Sequence, residues 1–203
     1  MSLRSVIKSG ALVCGIVSVL NLVGSATANS RASAISNIHN VGFSLVSAAP
    51  KTLKRSVIAR AENGVTRGVV AYGGKAISFP ERSINLVIQT GPSSDMLSYR
   101  INGLRNPKLV VNRGATLHIL FVNDDDDMFH NIRFGALSAG AMQNTSKLEA
   151  QSVGLKPLMH VNGGILHGAS MVIKAPNLPG TYAYFCTVRG HAPGGMWGSV
   201  QVR

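Results

Sequence analysis

The stretch that decides the fold lies at the C-terminal end: Gly180-Thr-Tyr-Ala-Tyr-Phe-Cys186-Thr-Val-Arg-Gly-His191-Ala-Pro-Gly-Gly-Met196-Trp-Gly-Ser-Val-Gln-Val-Arg203. Thr181 to Cys186 and Gly198 to Val202 are β-type runs, and the residues between them are rich in Gly and carry a Pro. That turn holds a thiol, an imidazole and a thioether in the spacing Cys-x4-His-x4-Met. A strand end, a loop and a strand start can fold three such side chains over one ion. A fourth donor must then come from a distant strand, which places the ion between two sheets.

Soft thiolate, two imidazoles in a trigonal plane and a weak axial thioether form a type 1 copper ligand set. The second imidazole is His130, which opens another β-type run downstream of the apolar segment Thr116 to Val122. Nucleophilic chemistry by Cys186 is the competing use of a Cys–His pair. Met196 on the same loop favours the metal. On its own Met196 would be read as packing, and its axial role rests on its neighbours.

Working outward, the pattern upstream is a series of short β-type runs separated by turn residues. Val65 to Tyr72 and Lys75 to Phe79 flank Gly73-Gly74, a hairpin signal. Ile84 to Thr90, Leu97 to Ile101, Leu109 to Val111, Thr116 to Val122, His130 to Phe134 and Ser170 to Ala175 follow. About nine strands at this spacing predict an all-β domain, a β-sandwich or barrel. A helix is predicted from Pro50 to Glu62, with Leu53, Val57, Ile58 and Ala61 on one face and Asn63-Gly64 as its stop. Residues 29–49 read as a mobile linker, and Gly135 to Gly168 as a long irregular connection.

The chain has 203 residues, 45% of them hydrophobic, enough for one domain with a real core. Its 20 Lys and Arg against 8 Asp and Glu give a formal charge of +12. The cations are scattered and aromatic residues are only 5%, so nucleic-acid binding is not indicated. A chain with few carboxylates has few native ion pairs to lose on protonation, which fits life in an acidic compartment. Half of the acids sit in the run Asp124 to Asp127, read as a solvated strand connection that can also attract a basic partner. Residues 1–28 have a positive start, an apolar centre and the small-x-small site Ala26-Thr27-Ala28, so they read as a secretory leader cut before Asn29. If uncleaved, residues 9–28 would serve as a membrane anchor. With the leader removed, Cys186 is the only thiol, which no intramolecular disulfide can protect. His118 reads as structural, His160 and His167 as too far apart for a compact second site, and His39 lies in the linker.

Taken together, Asn106-Pro-x-Leu, Gly114-Ala-Thr, His130 and Gly180-Thr-Tyr-x-Tyr-x-Cys186-x4-His191-x4-Met196-x-Gly198 resemble the cupredoxins, over roughly residues 50–203. Within that family the chain is similar to the rusticyanin-like proteins of acidophilic iron-oxidising bacteria, which share the N-terminal helix and hairpin. The resemblance implies a Greek-key β-sandwich with an N-terminal helical extension and one type 1 copper ion. His130, Cys186 and His191 would be equatorial ligands and Met196 the axial one. Asn131 would hold the ligand loop from behind, with Phe129, Phe134, Phe185, Trp197 and Met142 forming an apolar shell. Two residues depart from that branch: Asn131 stands where it has Ser, and Arg189 where it has Pro. The implied function is a monomeric periplasmic electron carrier without enzymatic activity, held at the membrane if the leader is uncleaved. It would pass electrons between cytochrome c and/or a terminal cytochrome oxidase. Copper delivery or storage is the alternative. A multicopper enzyme would need more His ligands than the 6 present.

Overall fold

In the computed structural model of the chain, residues 42–137 and 141–203 are described. The expected leader and His39 lie outside them. In the longer strands, inward and outward side chains alternate or run buried on both faces, as sheets with one or two covered faces require. From the N-terminus come β1 (Ser44–Ser47), β2 (Lys51–Leu53), helix α1 (Arg55–Asn63), β3 (Val69–Ala71) and β4 (Ala76–Ser78). Next are β5 (Ser83–Thr90), β6 (Tyr99–Ile101), β7 (Leu104–Arg105), β8 (Lys108–Val111) and β9 (Thr116–Asn123). The last group is β10 (Arg133–Ala136), helix α2 (Thr145–Ala150), β11 (Ser152–Gly154), β12 (Leu166–Lys174), β13 (Gly180–Phe185) and β14 (Trp197–Val202).

These strands make two sheets. One runs β1-β12-β9-β5-β6-β7, with β2 also on β12; the other runs β11-β10-β13-β14-β8-β4-β3. Three pairings are parallel, β5 with β9, β4 with β8 and β8 with β14, and the rest are antiparallel. The all-β sandwich is the predicted class. Between the sheets lies the main core, with Phe79, Ile88, Tyr99, Phe121, Phe134 and Tyr184 fully buried.

Three local expectations change. The linker does not extend to residue 49. Ser44–Ser47 pairs with Val172 and its neighbours as β1, and Phe43 and Leu45 enter the core. Phe43 meets the Tyr182 ring edge-on at 5.2 Å. The domain therefore starts at least as early as Phe43, not at Pro50. The helix also starts later than predicted, because Lys51–Leu53 is drawn into the ladder opposite Leu166–Gly168. Lys54 remains extended, and only then does α1 begin. A tertiary ladder here overrides a helical periodicity of barely three turns. Finally, the segment from Gly135 to Gly168 is not irregular throughout. It holds α2, capped by the Asn144 side chain accepting from the Lys147 N–H at 3.0 Å, and β11.

Helix α1 rests on the outer face of the first sheet, where Ile58 joins Leu53, Val87, Val122 and Leu166 in a second apolar cluster. That sheet is thus covered on both faces at its centre, which explains the apolar runs of β5 and β9.

Candidate metal centre

The connection from β9 to β10, which carries His130, the end of β13 and the start of β14 meet at one end of the sandwich, and the four predicted donors converge there. Cys186 follows β13 directly, and its N–H donates to the Met196 carbonyl at 3.1 Å, closing the base of the loop. Inside the loop the His191 N–H donates to Val188 O at 3.0 Å and the Met196 N–H to His191 O at 2.9 Å. Gly195 takes a φ of 109°, a backbone region that disfavours a side chain. Its carbonyl accepts from Asn106 Nδ2 at 2.9 Å, which ties the loop to the neighbouring sheet. Gly198 is required for space, since a Cβ there would collide with the Tyr184 hydroxyl. His130 is fixed by two backbone bonds with Leu158, at 3.3 and 2.8 Å.

The donor atoms face one another. His130 Nδ1 stands 3.1 Å from Met196 Sδ and 3.1 Å from His191 Nδ1, and Cys186 Sγ stands 3.5 Å from His191 Nδ1. The ligand atoms of His130, Cys186 and His191 all lie within 4.8 Å of one another. His130, Cys186 and Met196 are fully buried, and His191 retains 8% exposure. Two ring nitrogens, a sulfhydryl and a thioether crowded this closely and kept from water leave lone pairs that a soft cation would satisfy. Thiolate, imidazole and thioether suit copper.

The electrostatics agree. Burial pushes the Cys186 thiol up to about 11, against the pull of the Asn131 and Val188 N–H groups and the Tyr99 hydroxyl. The thiol is therefore protonated without a metal and would release its proton to one. Burial, with the His130 ring beside it, lowers His191 to about 4. Burial also lowers His130, although Asp125 pulls the other way. Both imidazoles are neutral near pH 7, the form that ligates.

Asn131 spans the segments that carry His130 and Cys186. Its Nδ2 donates to Leu155 O at 3.0 Å and to Thr187 Oγ1 at 2.8 Å, and its Oδ1 accepts the Thr187 N–H at 2.8 Å. Phe134 and Phe185 are buried beside the site, and Met142 packs on the cluster of Leu148, Phe185 and Ala192. Phe129 and Trp197 depart from the expected shell. They are 47% and 37% exposed, because each flanks a ligand and points to the opposite side of the chain. Phe129 meets His160 edge-on at 5.8 Å. His118 and His167 lie apart on β9 and β12, and no described cluster of possible ligands contains them or His160.

Two residues of the site escaped the sequence reading. Asp125, taken as part of a solvated run, is 1% exposed, and its Oδ2 lies 3.2 Å from His130 Nε2. Of its neighbours, Asp126 and Asp127 are exposed, and Asp124 pairs with Arg55 at 3.0 Å. Tyr99 is the second. Its buried hydroxyl donates to Asn131 O at 2.6 Å and adjoins Cys186. Neither had a local signal, because both partners lie outside the residue's own element.

The family described as copper binding proteins of the plastocyanin/azurin type matches residues 90–203. No curated protein matches the chain. Among solved structures, rusticyanin from Thiobacillus ferrooxidans is 20% identical with a TM-score of 0.62, over 76% of this chain and 97% of its own. A second rusticyanin structure gives 19% identity and a TM-score of 0.66, over 76% and 98%. Reduced rusticyanin in solution gives 22% and 0.58, over 81% and 98%. At these identities the likeness is one of fold. With the family match spanning more than half of the chain and a His-Cys-His-Met site in place, this chain belongs to the cupredoxins, its cofactor is copper, and it is of the type 1 electron-carrier kind.

Proposed function

We propose that His130, Cys186 and His191 hold the copper equatorially with Met196 as the weak axial donor. On this reading the protein carries single electrons in the periplasm of an acidophile's respiratory chain, between cytochrome c and/or a terminal oxidase. The observation that carries the reading is the convergence of these four side chains in a buried pocket with one exposed ligand edge. Copper bound there supplies one-electron exchange between Cu(II) and Cu(I). The chain's own residues keep that exchange inexpensive in rearrangement. The Cys186–Met196 and Asn131–Thr187 bonds fix the donors on a sheet end, so little moves when the charge changes. The buried Phe134 and Phe185 exclude water.

His191 is the exit. Around it Gly190, Pro193 and Gly194 are exposed and offer little side chain to hold a partner away. Arg189, also exposed, adds a cation where an acidic partner rim would meet it. Copper delivery, the other use of such a site, calls for donors that an acceptor can reach, and three of the four here are sealed. The scarcity of carboxylates supports an acidic setting, and residues 1–28 support export. Protein isolated from its source should begin at Asn29. The functional reading is tested by optical and EPR spectra with a potential titration. An intense cysteine charge-transfer band and a reversible one-electron wave are expected, both lost in Cys186→Ser. A copper-loaded protein without that band, or a variant that keeps it, refutes the assignment.

A further inference from the structure

Asp125 lies behind His130 with its two oxygens engaged differently. Oδ1 accepts the N–H groups of Asp127 and Met128, each at 3.0 Å, and closes a tight turn. Oδ2 meets His130 Nε2 at 3.2 Å. The turn alone would be served equally well by Asn. The third donor changes that. An amide has one acceptor atom, so its NH2 would face either the backbone N–H pair or the ring N–H. A carboxylate accepts on both sides. Neutral imidazole carries one ring proton, and a carboxylate at Nε2 draws it there. The Nδ1 lone pair is then left facing Met196 Sδ and His191 Nδ1, both at 3.1 Å.

Charge gives the second half of the argument. Among the described residues the ionisable side chains that meet Asp125 are His130 and Asp127, and no Lys or Arg pairs with it to offset its charge. With a Cys186 thiolate and an Asp125 carboxylate, a site holding Cu(II) sums to zero and one holding Cu(I) to one negative charge. With a neutral residue at 125, the sums become one positive charge and zero. Burying net charge is unfavourable, so the carboxylate moves that penalty from the oxidised to the reduced state.

We propose that Asp125 is the positioning and charge-setting residue of the centre: it holds His130 as the Nε2–H tautomer with Nδ1 open to the metal, and it favours Cu(II) over Cu(I). It opposes the dry apolar shell, which favours Cu(I), and so lowers the reduction potential. The proposal rests on the copper reading above.

Two measurements on the full chain test it. The first needs no metal: nitrogen NMR of the His130 ring in the apo protein. The Nε2–H tautomer is expected, with conversion toward Nδ1–H in Asp125→Asn, whose NH2 would donate to Nε2. The second compares Cu(I) and Cu(II) affinities in wild type, Asp125→Asn, Asp125→Ala and the exposed control Asp126→Asn. Both Asp125 variants should raise the Cu(I):Cu(II) affinity ratio at least tenfold, a rise of about 59 mV for one electron. The Asn variant should also bind both ions more weakly, and the control should change the ratio less than twofold. An Nδ1–H tautomer in the wild type overturns the positioning role. A ratio unchanged in both Asp125 variants, or moved equally by the control, overturns the charge role. Wild-type protein that shows no charge-transfer band with copper would instead sink the metal assignment, and the apo tautomer would still be decided on its own.

Discussion

Replacing Asn131 with Ala should loosen the ligand loop and destabilise the fold together. The side chain makes three hydrogen bonds, two with Thr187 and one with Leu155 O. The Thr187 hydroxyl sits near the surface and can turn to water. The Thr187 N–H is half-buried, and the Leu155 carbonyl is buried; both lose their partner. An orphaned buried polar group costs about 1–3 kcal/mol and the half-buried Thr187 N–H adds less, so the variant should lose roughly 1–4 kcal/mol, a sizeable part of the 5–15 kcal/mol typical of a domain. Urea unfolding of the copper-loaded protein measures the loss from the midpoint at constant slope. Because the same bonds fix Cys186 against His130, copper release to a chelator should also quicken, while Asn131→Ser should recover part of both effects. A midpoint shift worth less than about 0.5 kcal/mol, the scatter of ordinary surface substitutions, with unchanged release, would show that Asn131 does not brace the loop.

Two further outcomes follow from the fold and the site. Phe43→Ala should cost about 3–5 kcal/mol, the usual range for a buried aromatic, because Phe43 packs on Phe134 and Tyr182; a near-neutral effect in thermal unfolding would return residues 43–47 to the status of a linker. The apo protein should lose stability as pH falls. His191 is held at about 4 against an ordinary 6.5, so below 6.5 the unfolded chain binds a proton that the folded chain refuses. Stability should drop between pH 6.5 and about 4, with no further loss from this group below that, and a flat apo unfolding midpoint across the window would contradict it.

The loop ligands were legible because their chemistry is local: one thiol, one imidazole and one thioether within eleven residues. His130 could be placed because it follows a recognisable strand. The long strands announced themselves by their apolar runs, β5 and β9 above all, whereas the start of β12 falls in the segment read as irregular. The pieces that escaped are those whose conformation depends on a remote partner. β1 and β2 are too short to carry a period and exist because β12 offers each a ladder. Asp125 sits among three other aspartates, and which one turns inward is set by a turn and by a ring five residues away. Tyr99 reaches the metal centre across the core to a carbonyl 32 residues distant. Trp197 was misplaced because a strand residue next to a ligand falls on the opposite face, and Phe129 because it lies in the exposed connection before β10.

Two of the few carboxylates of this chain, Asp95 and Asp125, are held so that acid reaches them late. Asp95 takes hydrogen bonds from Arg105 at 2.8 Å and Arg100 at 2.7 Å, and the Arg105 bond above all holds its carboxyl below the ordinary value of 3.8. Asp95 anchors the segment whose Leu97 lies against Gly194 and whose Asn106 holds Gly195, so its ion pairs support the ligand loop from outside. A carboxylate with a depressed folded value contributes fully above the unfolded one and fails only as pH falls through the folded one. For Asp95 that loss begins below 3.8. Mild acid therefore acts first on the imidazoles of the empty site, and loading it with copper occupies the lone pairs that acid would attack. In the proposed acidic setting, scarce carboxylates and a buried histidine pair that copper would engage act in the same direction, since each removes a protonation that would cost the fold stability.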